Sequence, residues 1–116
     1  LKVVFVFHIN HVREISDEFI KNVESLKTHT LLNQSVLLKD VNDSAKVLSE
    51  LSSKLFESNI LPYYVHLLDK VSGADRFLVT DKRAKEIYKT LQTLLPGYLV
   101  PRMVRDEGGY SKRLVL

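Results

Sequence analysis

Two patterns of hydrophobic and polar positions alternate along the chain, one typical of strands and the other typical of amphipathic helices. Four short runs are mostly apolar: residues 2–7, 31–38, 63–68 and 98–104. The first run is almost continuously β-branched or aromatic, which is typical of a parallel strand buried on both faces. Pro101 interrupts the last run, so we expect that strand to be irregular or to lie at a sheet edge.

Three segments between these runs place apolar residues at helical spacing. Each begins near a residue whose side-chain oxygen can cap a helix N-terminus. Ser16 precedes the first helix, either Asp43 or Ser44 precedes the second, and Thr80 precedes the third. The pair Pro96-Gly97 is expected to end the third helix.

Strands and helices therefore alternate four times, with a period of roughly 30 residues, which predicts an α/β fold with right-handed crossovers between parallel strands. Residues 1–116 are expected to form a single α/β segment. Four strands can form an open sheet or an arc of a β/α barrel, and periodicity does not distinguish the two. The apolar first run at residues 2–7 lacks an upstream neighbour, which suggests a piece of a longer protein that self-associates when isolated.

Composition narrows the class of protein. The chain has 116 residues, 45% hydrophobic and 27% charged, with a net charge of +3. Its Lys and Arg residues are scattered among acids, so no nucleic-acid-binding stripe is expected. The absence of cysteine excludes disulfides, zinc–thiolate sites and an iron–sulfur cluster held by this chain alone. With no export signal and no apolar run near the ~20 residues of a membrane span, we expect a cytoplasmic protein that does not bind membranes.

Polar side chains cluster where the predicted strands end. Ligand sites in parallel α/β folds lie beyond the C-terminal ends of the strands. The first strand is followed by residues 8–11 (HINH), the second contains Gln34, and the third ends at His66 and Asp69. The fourth continues into residues 105–112, RDEGGYSK. The sequence therefore predicts one polar rim to which all four strands contribute.

Each of these residues also has a purely structural interpretation. The pair His8 and His11 has no evident third ligand, so a metal site is a weak hypothesis. Gln34 is as compatible with a hydrogen-bonded core amide as with a ligand. Asp69 can form a surface ion pair with its neighbour, and Lys112 can be one more solvated lysine.

Four stretches resemble one known family. They are "FHINHVREI", "LLNQSVLLKDVND", "LPYYVHLLDKVSGADRF" and "GYLVPRMVRDEGGYSK". Together they resemble the C-terminal part of the lysine 2,3-aminomutase family, in order and over essentially the whole chain. Those enzymes use S-adenosylmethionine (SAM), a [4Fe–4S] cluster and pyridoxal phosphate (PLP). The second and third stretches are most similar to the branch that supplies β-lysine for the modification of translation elongation factor P.

The resemblance implies roles for individual residues. Lys112 corresponds to the lysine that carries PLP, although Tyr110 and Ser111 separate it from the glycine pair, unlike in the metabolic enzymes. Asp69 and Asp106 correspond to the aspartates that bind the side-chain ammonium of L-lysine, for which two carboxylates are suited. Three further residues correspond to positions that line the SAM and PLP pocket: His8, Asn10 and Gln34.

The resemblance also implies a fold and an activity. The chain would be the C-terminal arc, about four β/α units, of a partial β/α barrel of the radical SAM type, without the N-terminal half that binds the cluster. The parent protein would convert L-α-lysine to β-lysine, as a homo-oligomer, and the chain alone would be inactive. Two alternatives are a non-catalytic binding or regulatory module and, less favoured, a metal hydrolase built on His8 and His11.

Overall fold

The computed structural model describes residues 2–68, 75–107 and 111–114, with the backbone alone at positions 75, 106, 107 and 111–114. Its regular elements alternate as the sequence pattern predicts. They are β1 Val4–Phe7, α1 Asp17–Glu24, β2 Thr30–Leu37, α2 Ala45–Glu57, β3 Leu61–Leu67, α3 Asp81–Leu94, β4 Arg102–Glu107 and β5 Ser111–Leu114. Short 3-10 turns lie at Val12–Glu14, Asp75–Phe77 and Gly97–Leu99.

The strands form one sheet in the order β1-β2-β3-β4-β5. Neighbouring strands from β1 to β4 are parallel, and β5 is antiparallel to β4. The prediction of an α/β fold with four parallel strands is therefore confirmed. The fifth strand was not predicted, because the sequence SKRL of β5 has neither an apolar run nor an alternating pattern.

The last predicted strand is displaced along the chain. Residues 97–99, which overlap the first two positions of the predicted strand at 98–104, form a 3-10 turn that buries Leu99. The strand itself begins at Arg102, directly after Pro101. Proline has no N–H to donate to a strand ladder, so its position just before the strand is favourable.

All three predicted helix starts are confirmed by side-chain hydrogen bonds. Ser16 Oγ accepts from the Phe19 amide at 3.0 Å, and Thr80 Oγ1 accepts from the Arg83 amide at 3.2 Å. The second helix is capped by Ser44, whose Oγ accepts from the Val47 amide at 3.1 Å. Each cap satisfies one N–H group that has no partner within its helix.

The helices cover one face of the sheet, which we call the helix-covered face. Alternate residues of β2 point into this face and are buried: Leu31, Asn33, Ser35 and Leu37. Two apolar clusters lie there, one around Leu48 and Leu91 and one around Leu55 and Ile60. We call the other side of the sheet the opposite face.

The opposite face differs from the prediction for the first strand. Residues 2–7 were expected to be buried on both faces, but Val4 and Val6 are 51% and 42% exposed. The described helices pack on the other side of the sheet, so none of them covers these two side chains. Among the described residues, no helix is both long and apolar enough to cross a membrane.

Candidate functional site

The strand register brings several of the predicted site residues to the opposite face. Gln34 in β2 is paired with Tyr64 in β3, and Val36 is paired with His66. His66 is in turn paired with Val104 in β4. Partners in neighbouring strands share a face because side chains alternate along each strand. Gln34 and His66 therefore lie on one face, near the C-terminal ends of their strands, and both are half-buried.

The positions of Asp106 and Lys112 are also paired. Their Cα atoms are partners in the antiparallel pair β4 and β5, two residues beyond the pair Val104–Leu114. Strand alternation assigns position 106 to the same face as position 104. Asp69, the other predicted substrate ligand, lies outside the described residues. The structure thus relates Lys112 to Asp106 through the backbone, and the roles of both residues stay predictions.

Tyr64 and His66 are in aromatic contact along β3 on this face. Their rings make an edge contact with centroids 5.7 Å apart, and the Tyr64 ring lies 4.0 Å from that of Tyr63. The hydrogen bond with Tyr63 is the main cause that raises the pKa of the Tyr64 phenol, followed by burial. Tyr64, whose Cα is the cross-strand partner of that of Gln34, therefore stays protonated at neutral pH.

Three asparagine amides and one serine hydroxyl join the residues after β1 to β2. We call Asn10, Asn33, Ser35 and Asn42 the amide network. Asn33 Oδ1 accepts from the Ile9 amide at 2.9 Å, and Asn33 Nδ2 donates to the Ile9 carbonyl at 3.0 Å. Ser35 Oγ donates to the same carbonyl at 2.7 Å. Asn33 and Ser35 are 1% and 3% exposed, so these bonds satisfy groups that water does not reach.

Asn10 and Asn42 extend the network toward the end of β2. Asn10 Oδ1 accepts from the Val36 amide at 2.8 Å. Asn42 Oδ1 accepts from the Leu38 amide at 2.8 Å, and Asn42 Nδ2 donates to the Asn10 and Val36 carbonyls at 2.8 and 2.9 Å. The side chain of Asn10, predicted to line a cofactor pocket, is thus bonded to the backbone of β2.

The two histidines after β1 lie in different surroundings. His11 Nδ1 accepts from the Arg13 amide at 3.1 Å, and Glu14 Oε2 accepts from the His11 amide at 2.8 Å. These bonds make His11 the N-cap of the 3-10 turn at Val12–Glu14. Among the side chains that the structure describes, there is no group of three or more metal-ligating residues. His8, by contrast, is exposed at the rim of the opposite face.

An ion pair connects β4 to the start of α3. Arg105 Nη2 lies 2.6 Å from Asp81 Oδ1, and Arg105 Nη1 donates to Asp81 Oδ2 at 3.3 Å. This two-point geometry suits a guanidinium and a carboxylate. Because Arg105 precedes Asp106, the pair holds the strand that carries a predicted substrate ligand.

One cavity between the helices and the sheet is too small for a ligand. The cavity lined by Asn33, Ser35 and Ser52 has a volume of about 10 Å³. That volume accommodates at most one water molecule. This cavity therefore has no room for a substrate or a cofactor.

Comparison with known proteins identifies the segment. No protein-family model matches the chain. It is 56% identical to the L-lysine 2,3-aminomutase of Haemophilus influenzae over 94% of this chain and 33% of that protein. It is 49% identical to the L-lysine 2,3-aminomutase of Escherichia coli over 100% of this chain and 34% of that protein. The chain is homologous to part of the L-lysine 2,3-aminomutases.

The aminomutase homology confirms the family that the four sequence stretches indicated. The chain spans about a third of the length of the Haemophilus and Escherichia proteins. It is 37% identical to the L-lysine 2,3-aminomutase of Clostridium subterminale, over 94% of this chain and 27% of that protein. The segment is therefore more similar to the first two aminomutases than to the clostridial one, as its motifs predicted.

The sequence did not reveal the buried amides behind the polar rim. No role was predicted for Asn33 or Asn42. Both are almost completely buried, at 1% and 0% exposed. An asparagine within an apolar strand is a signal of a satisfied buried amide, but its partners lie 24 residues away in the chain. That distance hides the network from any local pattern.

Proposed function

We propose that the protein containing this segment converts L-α-lysine to β-lysine by moving the amino group to the neighbouring carbon. The observation that carries the proposal is identity of 47–56% to three proteins named L-lysine 2,3-aminomutase, over 94–100% of this chain. Because the chain spans only about a third of those relatives, the activity is proposed for the whole protein. The segment alone is expected to be inactive.

The residues present fit a division of the site between this segment and the rest of the protein. The chain has no cysteine, so the ligands of a [4Fe–4S] cluster would lie outside it. When bound, the cluster and SAM would supply a radical that abstracts hydrogen from the substrate, and PLP would hold the migrating amino group. We further propose that the segment forms the C-terminal arc of a partial β/α barrel of the radical SAM type.

Lys112 is the proposed PLP-binding residue. A lysine amine is the group that binds the PLP aldehyde, and it has to move away when the substrate amine takes its place. The register places the Lys112 backbone directly opposite Asp106, on the hairpin formed by β4 and β5. The Gly108-Gly109 pair lies between these two positions in the sequence. Such a location near the strand ends is where α/β folds bind ligands.

Asp69 and Asp106 are the proposed ligands of the substrate ammonium. The side chain of lysine ends in a cation with three hydrogen-bond donors, and two carboxylates can accept from it while balancing its charge. Their distance from the reacting carbons would select the length of the substrate. The pairing of position 106 with position 112 supports a site that holds the substrate close to PLP.

The pocket for SAM and PLP is proposed to include His8, Asn10 and Gln34. The location of Gln34 on the opposite face and of His8 at its rim is compatible with direct contacts. We also propose that the protein is cytoplasmic and homo-oligomeric, and that its product serves the modification of elongation factor P. This last proposal rests on the sequence stretches that resemble that branch of the family.

Activity of the full-length protein tests the proposal. Purified anaerobically and supplied with PLP, SAM and a reductant, it should convert L-lysine to β-lysine, detected by mass spectrometry of derivatised amino acids. Reactions without SAM should yield no product. Absence of β-lysine from protein that contains its cluster and PLP would contradict the proposal and favour the binding-module alternative.

A further inference from the structure

The backbone hydrogen-bond ladder between β1 and β2 stops before the two strands separate. The last paired positions are Phe7 and Asn33. Beyond that point the Ile9 backbone has both its amide and its carbonyl bonded to side chains of β2, not to its backbone. Side chains thus replace the ladder over the residues that lead into the candidate site.

We infer that the amide network positions the candidate site: Asn33 and Asn42 hold the turn at residues 8–11 against β2, and Asn10 affects SAM binding through its bond to β2. This inference rests on the proposed function, because His8 and Gln34 are the residues whose spacing the network would set. It gives Asn10 a positioning role within the proposed pocket.

Asn33 is the first of the two residues that hold the turn against β2. Its amide group binds the Ile9 amide and carbonyl together, in the way that a backbone neighbour in a sheet would. Asn33 Nδ2 also donates to Ser35 Oγ at 3.1 Å, which fixes the orientation of that hydroxyl toward the Ile9 carbonyl. Gln34 lies between these two network residues in sequence and points to the opposite face. Its backbone is therefore held on both sides.

Asn42 is the second residue that holds the turn, and it is completely buried. Its amide makes three hydrogen bonds of 2.8–2.9 Å, one to the turn after β1 and two to the end of β2. Every one of these bonds goes to the backbone, so together they fix the path of the main chain. A side chain of another shape or charge would leave buried backbone groups without partners.

Asn10 is oriented by the same arrangement. Its carbonyl accepts from Asn42 and its side-chain Oδ1 accepts from the Val36 amide. This bond fixes the orientation of the Asn10 side chain against β2. His8, two residues earlier, carries no such bond to β2 among the described contacts and is exposed at the rim. The network therefore gives Asn10 a positioning role that His8 does not have.

The test compares three variants of the full-length holoenzyme. Asn42→Asp keeps the acceptor for the Leu38 amide but removes both donors, and Asn10→Ala removes the acceptor for the Val36 amide. Ile60→Ala is the control for general stability, since Ile60 is fully buried, belongs to the same apolar cluster as Ile9 and takes part in no hydrogen bond of the network. The measurements are the dissociation constant for SAM, by equilibrium dialysis, and hydrogen exchange of peptides covering residues 8–11 and 34–38.

We expect Asn42→Asp to raise the dissociation constant for SAM about 10-fold or more, as is typical for residues that orient ligand-binding groups. Exchange should become faster in both peptides. Asn10→Ala should raise the dissociation constant and speed exchange at residues 34–38 together, because both follow from the loss of one bond. Ile60→Ala should lower global stability yet change SAM binding by less than about two-fold.

Three results would overturn the inference. One is unchanged exchange in residues 34–38 of Asn10→Ala despite weakened SAM binding, which would make Asn10 a direct ligand. Another is equal weakening by Ile60→Ala, which would reduce the effect to general stability. The third is wild-type SAM binding in Asn42→Asp. If Asn42→Asp does not fold, Ser35→Ala removes the bond to the Ile9 carbonyl and the acceptor for Asn33 Nδ2, and it should give the same changes in smaller degree. Wild-type protein that binds no SAM would contradict the proposed function, while the exchange measurements would still decide whether the network holds the turn.

Discussion

The ion pair between Arg105 and Asp81 offers a quantitative test of how the site-bearing strand is held. Two oxygen–nitrogen contacts of 2.6 and 3.3 Å join the groups, and their side chains are 32% and 57% exposed. Exposed ion pairs contribute about 0.2–1 kcal/mol. Two-point geometry places this pair in the upper half of that range, so we expect a coupling free energy of about 0.5–1 kcal/mol.

A double-mutant cycle isolates this coupling. The variants are Asp81→Asn, Arg105→Gln and the double variant, each unfolded in urea at a fixed concentration of the 116-residue chain. Asp81→Asn alone should lower the free energy of unfolding by more than the coupling free energy. Asp81 also lies in the first turn of α3, where a negative charge stabilises the helix by about 0.3–1 kcal/mol. The cycle subtracts that helix contribution.

Salt and a second pair provide the controls. The coupling should shrink between about 0.1 M salt, where the Debye length is about 10 Å, and about 1 M, where it is about 3 Å. The pair of Glu24 and Lys27, separated by 2.8 Å but 60% and 58% exposed, should show a smaller coupling in the same experiment. A coupling for Arg105 and Asp81 below about 0.2 kcal/mol, or one that does not change with salt, would refute the reasoning.

Three further predictions follow from charge, burial and the sheet edge. In the full-length enzyme, Asp106→Asn should raise KM for L-lysine tens- to hundreds-fold, since losing one charge-assisted partner costs about 2–4 kcal/mol; unchanged kinetics would remove Asp106 from the substrate site. Burial raises the pKa of the Tyr88 phenol, with Arg102 opposing. The protonated phenol therefore contributes in full to the free energy of unfolding below pH ~10, and this contribution is lost as pH rises through the folded pKa. In denaturation curves, Tyr88→Phe should lose less stability as pH rises, and an unchanged slope would contradict the assignment. The isolated chain should self-associate through β1, where Val4 and Val6 are exposed, and a clean monomer in light scattering at tens of micromolar would count against this.

The elements of the fold could be predicted because their signals are local. Ser16 and Thr80 cap helices by bonding amides three residues away, and apolar spacing within one helix or strand is read directly from the sequence. The choice between Asp43 and Ser44 needed the structure, because both residues are good caps. In the structure Ser44 caps α2, and Asp43 Oδ1 accepts from the Asp40 amide at 3.0 Å.

The arrangement of the site could be predicted only in part, because its decisive contacts are long-range. Polar residues at the strand ends pointed to the rim, yet nothing local relates Asn42 to Asn10, whose hydrogen bond spans 32 residues. The pairing of Lys112 with Asp106 depends on a fifth strand that has no strand-like pattern. The family resemblance supplied roles for these positions, whereas the structure supplied their register.

The central claim, that Lys112 carries PLP in a lysine 2,3-aminomutase, is tested most directly by chemical labelling. Reduction of the full-length holoenzyme with borohydride should attach PLP covalently to one peptide, identified by mass spectrometry, and that peptide should contain Lys112. The variant Lys112→Ala should lose turnover and the visible absorption of bound PLP while keeping its iron–sulfur spectrum. Label on Lys39, Lys70 or another lysine, or full activity in Lys112→Ala, would contradict the account.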